Sequence, residues 1–129
     1  MVSVHDVLSP LRALGPPPIG DVGQARRYAA ELRAAADELR QLADGVARGH
    51  EVRSFSGPAA DRHRANAADL VANLRHRATV LDEIAAQVLR DAAALERLQH
   101  AWRSRARAIV QGAEQILRAA LAQLGWRMP

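Results

Sequence analysis

An all-α fold is predicted by three features of this sequence. Alanine supplies 28 of its 129 residues and, with abundant leucine and arginine, favours helix by intrinsic propensity. Apolar residues recur in steps of three and four over long runs, the period of a helix with one buried face. Three of the six prolines cluster at 16–18 and a fourth follows Gly57, so the interruptions are few and local. The expected architecture is an antiparallel helical hairpin with a short N-terminal helix before it and a long C-terminal helical extension after it. All of it fits one helical domain spanning 1–129.

The first helix is expected over 2–14. Ser3 with Asp6 three residues on resembles a capping box, and Val4, Val7, Leu8, Leu11 and Leu14 share a face that Pro10 would weaken or kink. Residues 15–20, "GPPPIG", form a stiff, extended connector. Asp21 with Gln24 offers the next cap. From there a stripe reads Ala25, Tyr28 or Ala29, Leu32, Ala35 or Ala36, Leu39, Leu42 or Ala43, Val46, which predicts one helix near 21–47 with Gly45 and Gly49 loosening its end. Pairs such as Arg27/Glu31, Arg33/Asp37 and Arg40/Asp44 sit four apart, as neighbours on a solvated helix face do.

A turn is expected over 48–57. The last helix, over 58–124, opens on Pro58, whose missing N–H falls where no helical acceptor exists. Its stripe runs through Leu70, Leu74, Ala78, Leu81, Ile84 or Ala85, Val88, Ala92, Leu95, Leu98, Trp102, Ala106, Ile109, Ala113, Ile116, Ala120 and Leu124. Unbroken, a helix of this length would reach roughly 100 Å against roughly 40 Å for the one before it, at 1.5 Å per residue. The stretch from 90 to 124 must therefore break and fold back near 103–112, accept the N-terminal helix, or bury its stripe on another chain. Bare, it would forfeit about 25 cal/mol per Å² of apolar surface. Trp102 on this stripe reads either as intramolecular core or as an anchor in a partner interface, with Leu95, Leu98, Ile109 and Ile116 beside it.

Composition excludes several classes of function. The chain has no cysteine, so it holds neither disulfide nor thiolate metal site. No apolar run approaches the roughly 20 residues of a membrane span, and "MVSVHDVLSP" lacks the basic-then-apolar order of a signal peptide, so no membrane insertion is expected. Of the five histidines, His63 and His76 point to different sides of their helix, and neither has a ligand at the four-residue spacing of a helical metal site. Glu96 and His100 share a face but stand as a single pair. Ser54, Ser56 and Ser104 lack an evident base and orienting acid, and no glycine-rich phosphate cradle occurs. The chain reads as no enzyme, without cofactor, metal or catalytic residue.

Charge is unevenly placed. Residues 1–100 carry 13 arginines against 13 acids, whereas 101–129 carry Arg103, Arg105, Arg107, Arg118 and Arg127 against Glu114 alone. Arg103 and Arg107 share a helical face and Arg105 points elsewhere, so this basic patch is a ring without the interleaved aromatics that stack bases. That argues against nucleic acid and for a solvated or protein-facing basic end, which an acidic partner surface would fit.

The joint between the two long helices reads Phe55-Ser56-Gly57-Pro58. An aromatic there can staple the helix ends, glycine permits a sharp backbone turn, and proline restarts the helix. Two alanine-rich helices joined at an aromatic-Ser-Gly-Pro turn, the first opening after Gly20-Asp21, resemble the WXG-type helical hairpins of type VII (ESX) secretion, most closely the N-terminal targeting domains of actinobacterial effectors. The likeness covers roughly residues 19 to 100. Phenylalanine stands where the family has tryptophan, and the family's tyrosine-plus-acid export motif has no match, since the single tyrosine is Tyr28 and Leu32 lies four residues beyond it. The resemblance implies an exported substrate, or a partner or targeting factor for a larger effector. It would form a heterodimeric four-helix bundle with another helical-hairpin protein that carries the signal, and a secretion ATPase would read that bundle. The protein would be cytoplasmic before export and secreted or cell-surface after it. A self-associating helical adaptor is the alternative, and an arginine-rich nucleic-acid binder the third reading.

Overall fold

The computed structural model describes residues 4–51 and 56–125, with side chains described over 9–49 and 56–125. The chain is all-α. Three helices account for nearly all the described residues, α1 (Val4–Leu14), α2 (Val22–Glu51) and α3 (Pro58–Gln123), and no strand occurs among them.

Local chemistry marks the start of α2 and both ends of α3. Pro10 lies inside α1 without ending it, and Arg12 in the last turn suits the negative end of the helix dipole. Asp21 caps α2: its Oδ1 accepts the N–H of Gln24 at 3.0 Å and its carbonyl accepts that of Ala25 at 3.1 Å. α2 persists through Gly45 and Gly49 to Glu51, although each glycine costs about 1 kcal/mol relative to alanine in a helix. The burial of Ala43 and the half-burial of Val46 and Ala47 on that last stretch offset the loss. Gly57 has φ +113°, a conformation that side chains rarely adopt, and its carbonyl accepts the Asp61 N–H at 3.0 Å. Pro58 then opens α3, and Asp61 in the first turn pairs with Arg64 at 3.1 Å. α3 runs without interruption through 103–112, Gly112 included, and closes on the turn bonds Leu124 N to Leu121 O and Gly125 N to Ala122 O.

The chain divides into two compact units, one of residues 21–93 and one combining the segment up to residue 20 with residues from 94 onward, so α3 contributes to both. In the first unit the fully buried side chains are all alanine: Ala29, Ala36 and Ala43 on α2, and Ala60, Ala78, Ala85 and Ala92 on α3. Where the sequence offered two adjacent apolar candidates of different size, the smaller is inside, so Tyr28, Leu42 and Ile84 stay exposed beside buried Ala29, Ala43 and Ala85. The stripe of α2 is then Val22, Ala25, Ala29, Leu32, Ala36, Leu39, Ala43, Val46, a strict alternation of three and four. Ala29, Ala36 and Ala43 climb α2 in steps of seven while Ala92, Ala85 and Ala78 descend α3 in the same steps.

Two ion pairs join α2 to α3, from Arg40 to Asp82 and from Arg75 to Asp44 at 3.2 Å. Arg40 also meets Asp37 at 3.3 Å, so the expected Arg40/Asp44 neighbours instead take partners on α3. The hydrogen bond to Asp82, helped by the charges of Asp82 and Asp37, raises the pKa of the Arg40 guanidinium above its ordinary value.

Candidate partner interface

The C-terminal part of α3 and the N-terminal segment meet through an unusual division of donors and acceptors. Pro16, Pro17 and Pro18 have no N–H, so the connector has more carbonyls than backbone donors to satisfy them. α3 supplies the donors. Gln99 Nε2 donates to the Gly20 carbonyl at 2.9 Å and to the Pro18 carbonyl at 3.4 Å, and Trp102 Nε1 donates to the Gly15 carbonyl at 3.2 Å. Gly20 packs on Leu95 so closely that a Cβ there would collide with the leucine side chain, and its φ of +153° independently favours glycine. Trp102, Gln99, Pro17, Pro18 and Arg103 line a shallow cleft of about 310 Å³ at this junction.

These contacts fix a direction. Gly20, Pro18 and Gly15 meet Leu95, Gln99 and Trp102 in turn, so the N-terminal segment descends in number as α3 ascends. Toward the C-terminal end of α3 several large apolar side chains are open: Val110 is 49% exposed, Ile116 39%, Leu117 53% and Leu124 82%.

The expected interface residues therefore divide. Leu95, Trp102 and Ile109 are half-buried, Leu95 against Gly20 and Trp102 against the connector. Ile116 and Leu98 are exposed, and Leu98 lies off the stripe, whose position is taken by half-buried Gln99. Counting strictly in threes and fours from Ala60 through Leu74, Ala85 and Leu95 lands on Gln99, and that count is the signal by which it was legible; hydrophobicity alone selects its neighbour. Gly20 was visible as part of the helix-opening Gly-Asp pair, but its packing role depends on Leu95, 75 positions away in the sequence.

Arg103, Arg105 and Arg107 are exposed, and none makes a hydrogen bond or ion pair among the described residues. Of the turn motif, Ser56, Gly57 and Pro58 are exposed, and no atom lies within 4 Å of where a Gly57 Cβ would stand. Phe55 and Trp126 lie outside the described residues. No group of three His, Asp or Glu among the described residues is placed to hold a metal ion, and no helix among them is long and apolar enough to cross a membrane. The chain matches no family model, no curated protein and no solved structure.

Proposed function

We propose that this chain is a WXG-like protein of type VII (ESX) secretion that acts by helical pairing, as an exported substrate or as the partner or targeting factor of a larger effector. Its α2 and the first part of α3 form an antiparallel hairpin. The opposed alanine ladders and the two ion pairs, whose α2 numbers rise as their α3 numbers fall, support that arrangement. Alanine at every seventh position of both seams suits close helix approach, because at those levels only methyl groups stand between the backbones.

The observation that carries the pairing reading is the open apolar end of α3. Burying an exposed leucine or isoleucine is worth about 1.5–3 kcal/mol. Association costs an estimated 4–15 kcal/mol before any gain appears. Ile116, Leu117 and Leu124 alone would barely meet the lower figure, so a stable partner must lie along α3 far enough to reach Val110 and Ile109 as well. A helix of another hairpin has that length, and acidic residues on its flank would meet Arg103 and Arg107. Trp102 then serves within the chain, holding the connector, while the partner contact centres on Ile109 and Ile116. The resulting bundle is what a secretion ATPase would recognise, with the protein cytoplasmic before export and secreted or at the cell surface after it.

Co-expression with the hairpin protein encoded beside it tests this. A stable complex is expected, and the double substitution Ile109→Asp and Ile116→Asp should split it while leaving helicity unchanged, because each places a charge in an apolar contact. A complex indifferent to both substitutions, or no complex with any neighbouring hairpin, would overturn the reading.

A further inference from the structure

The cleft beside the connector is preformed. Pro17, Pro18, Gln99, Trp102 and Arg103 enclose about 310 Å³, the lower end of the roughly 300–1,000 Å³ that ligand pockets span. A single amino-acid residue fits that space, and a helix does not. Proline fixes the backbone of one wall, and the bonds from Gln99 to the Pro18 and Gly20 carbonyls and from Trp102 to the Gly15 carbonyl hold that wall to α3. Binding there needs little ordering of the protein, which removes one of the costs of association.

The polar groups still unbonded on the lining define the ligand. Pro17 and Pro18 have no N–H, Trp102 donates its indole N–H to Gly15, and the Gln99 amide nitrogen donates to two carbonyls. That leaves one side-chain donor, the Arg103 guanidinium, which is exposed and makes no hydrogen bond or ion pair among the described residues. It also leaves one side-chain acceptor, Gln99 Oε1, which accepts nothing among the described residues. Gln99 and Arg103 are four residues apart, so cation and acceptor are neighbours on one side of α3, about 6 Å apart along its axis. The rest of the lining is two proline rings and an indole, which are flat and apolar.

We propose that this cleft binds the C-terminal residue of another polypeptide, where that residue is apolar and above all aromatic. The terminal carboxylate meets Arg103, whose planar fork matches it with two parallel bonds. The N–H of the same residue donates to Gln99 Oε1, and its ring lies against Trp102, Pro17 and Pro18. A terminal residue carries an anion, an N–H and an apolar side chain on one α-carbon, the three features the cleft leaves unmatched. An internal aspartate or glutamate carries its carboxylate in place of the apolar group. The inference rests on the connector contacts and is independent of helical pairing through Ile109 and Ile116.

The sequence has two tryptophans, so Trp126→Phe leaves the Trp102 indole N–H as a single NMR signal beside the cleft. N-acetyl-phenylalanine should shift that signal saturably, with a dissociation constant of about 1 mM, the affinity of a small ligand in a shallow site. Its uncharged amide should bind at least about tenfold more weakly, and hydrocinnamate, which keeps ring and carboxylate but lacks the N–H, about threefold more weakly. A glycine-serine hexapeptide ending in phenylalanine with a free carboxylate should bind at least as tightly as N-acetyl-phenylalanine; a peptide that binds more weakly would overturn the assignment to a polypeptide terminus. Arg103→Gln, at an exposed position, should weaken binding at least about tenfold, whereas Arg107→Gln, one turn on and outside the lining, should change it less than about twofold. No shift at about 20 mM N-acetyl-phenylalanine, equal shifts by acid and amide, or an Arg103→Gln protein that binds like the parent would overturn the proposal.

Discussion

Replacing Ala85 with leucine isolates the property on which the helical pairing depends. Ala85 has no exposed surface, and the buried side chains around it in the same unit are alanines with no volume to yield. Leucine adds three carbon atoms. If the helices could part to admit them, burial at about 0.8 kcal/mol per carbon would stabilise the fold by about 2 kcal/mol. Overpacking a filled core instead costs about 1–3 kcal/mol. Parting the helices would also draw Arg40 from Asp82, so the cost outweighs the gain and a net loss near 2 kcal/mol is expected. For a domain of this size that lowers the melting temperature by roughly 8 °C. Thermal unfolding followed by circular dichroism measures it, with Glu83→Leu, an exposed site two positions away, as a control expected within about 0.5 kcal/mol of the parent. An Ala85→Leu protein as stable as the parent, or more so, would refute a close-packed alanine seam.

Gln99→Leu should cost about 1 kcal/mol by withdrawing the donor to the Gly20 and Pro18 carbonyls, and limited proteolysis should then cut the connector sooner than in the parent. Gly20→Ala should cost at least about 1 kcal/mol, since its methyl group meets Leu95 in a backbone conformation that alanine resists; a neutral result would remove the connector contact from the account. Arg40→Ala should cost no more than about 1 kcal/mol, and less at high salt, because both partners are only half-buried and still reach solvent. Duplex or single-stranded nucleic acid should show no micromolar binding; a salt-sensitive affinity abolished by replacing Arg103 and Arg107 would instead make the basic patch a nucleic-acid site.

The helical periodicity carried most of the fold in plain view, because steps of three and four persist along α2 and α3 with few interruptions. It could not choose between Tyr28 and Ala29, Leu42 and Ala43, or Ile84 and Ala85, since both members of each pair are apolar. The choice depends on how closely the facing helix approaches, and a close approach admits the methyl group and sends the larger side chain to the rim. Hydrophobicity misdirected the stripe at Leu98 for a related reason: what occupies position 99 is set by the carbonyls of a proline-rich segment about 80 residues earlier in the chain. α2 passing through Gly45 and Gly49 reflects tertiary burial overriding local propensity. The candidate interface was partly legible. Ile116 and Ile109 followed from the length of α3, while the employment of Trp102 by Gly15 required knowing where the connector lies.

Hydrogen exchange along α3, with and without the cognate hairpin, tests helical pairing most directly. Amides from Ile109 to Gln123 should exchange at least tenfold more slowly in the complex, while those from Ala78 to Ala92, already held by the alanine seam, should change little. Equal exchange from Ile109 to Gln123 in the free and mixed protein would contradict the claim that another chain completes this one.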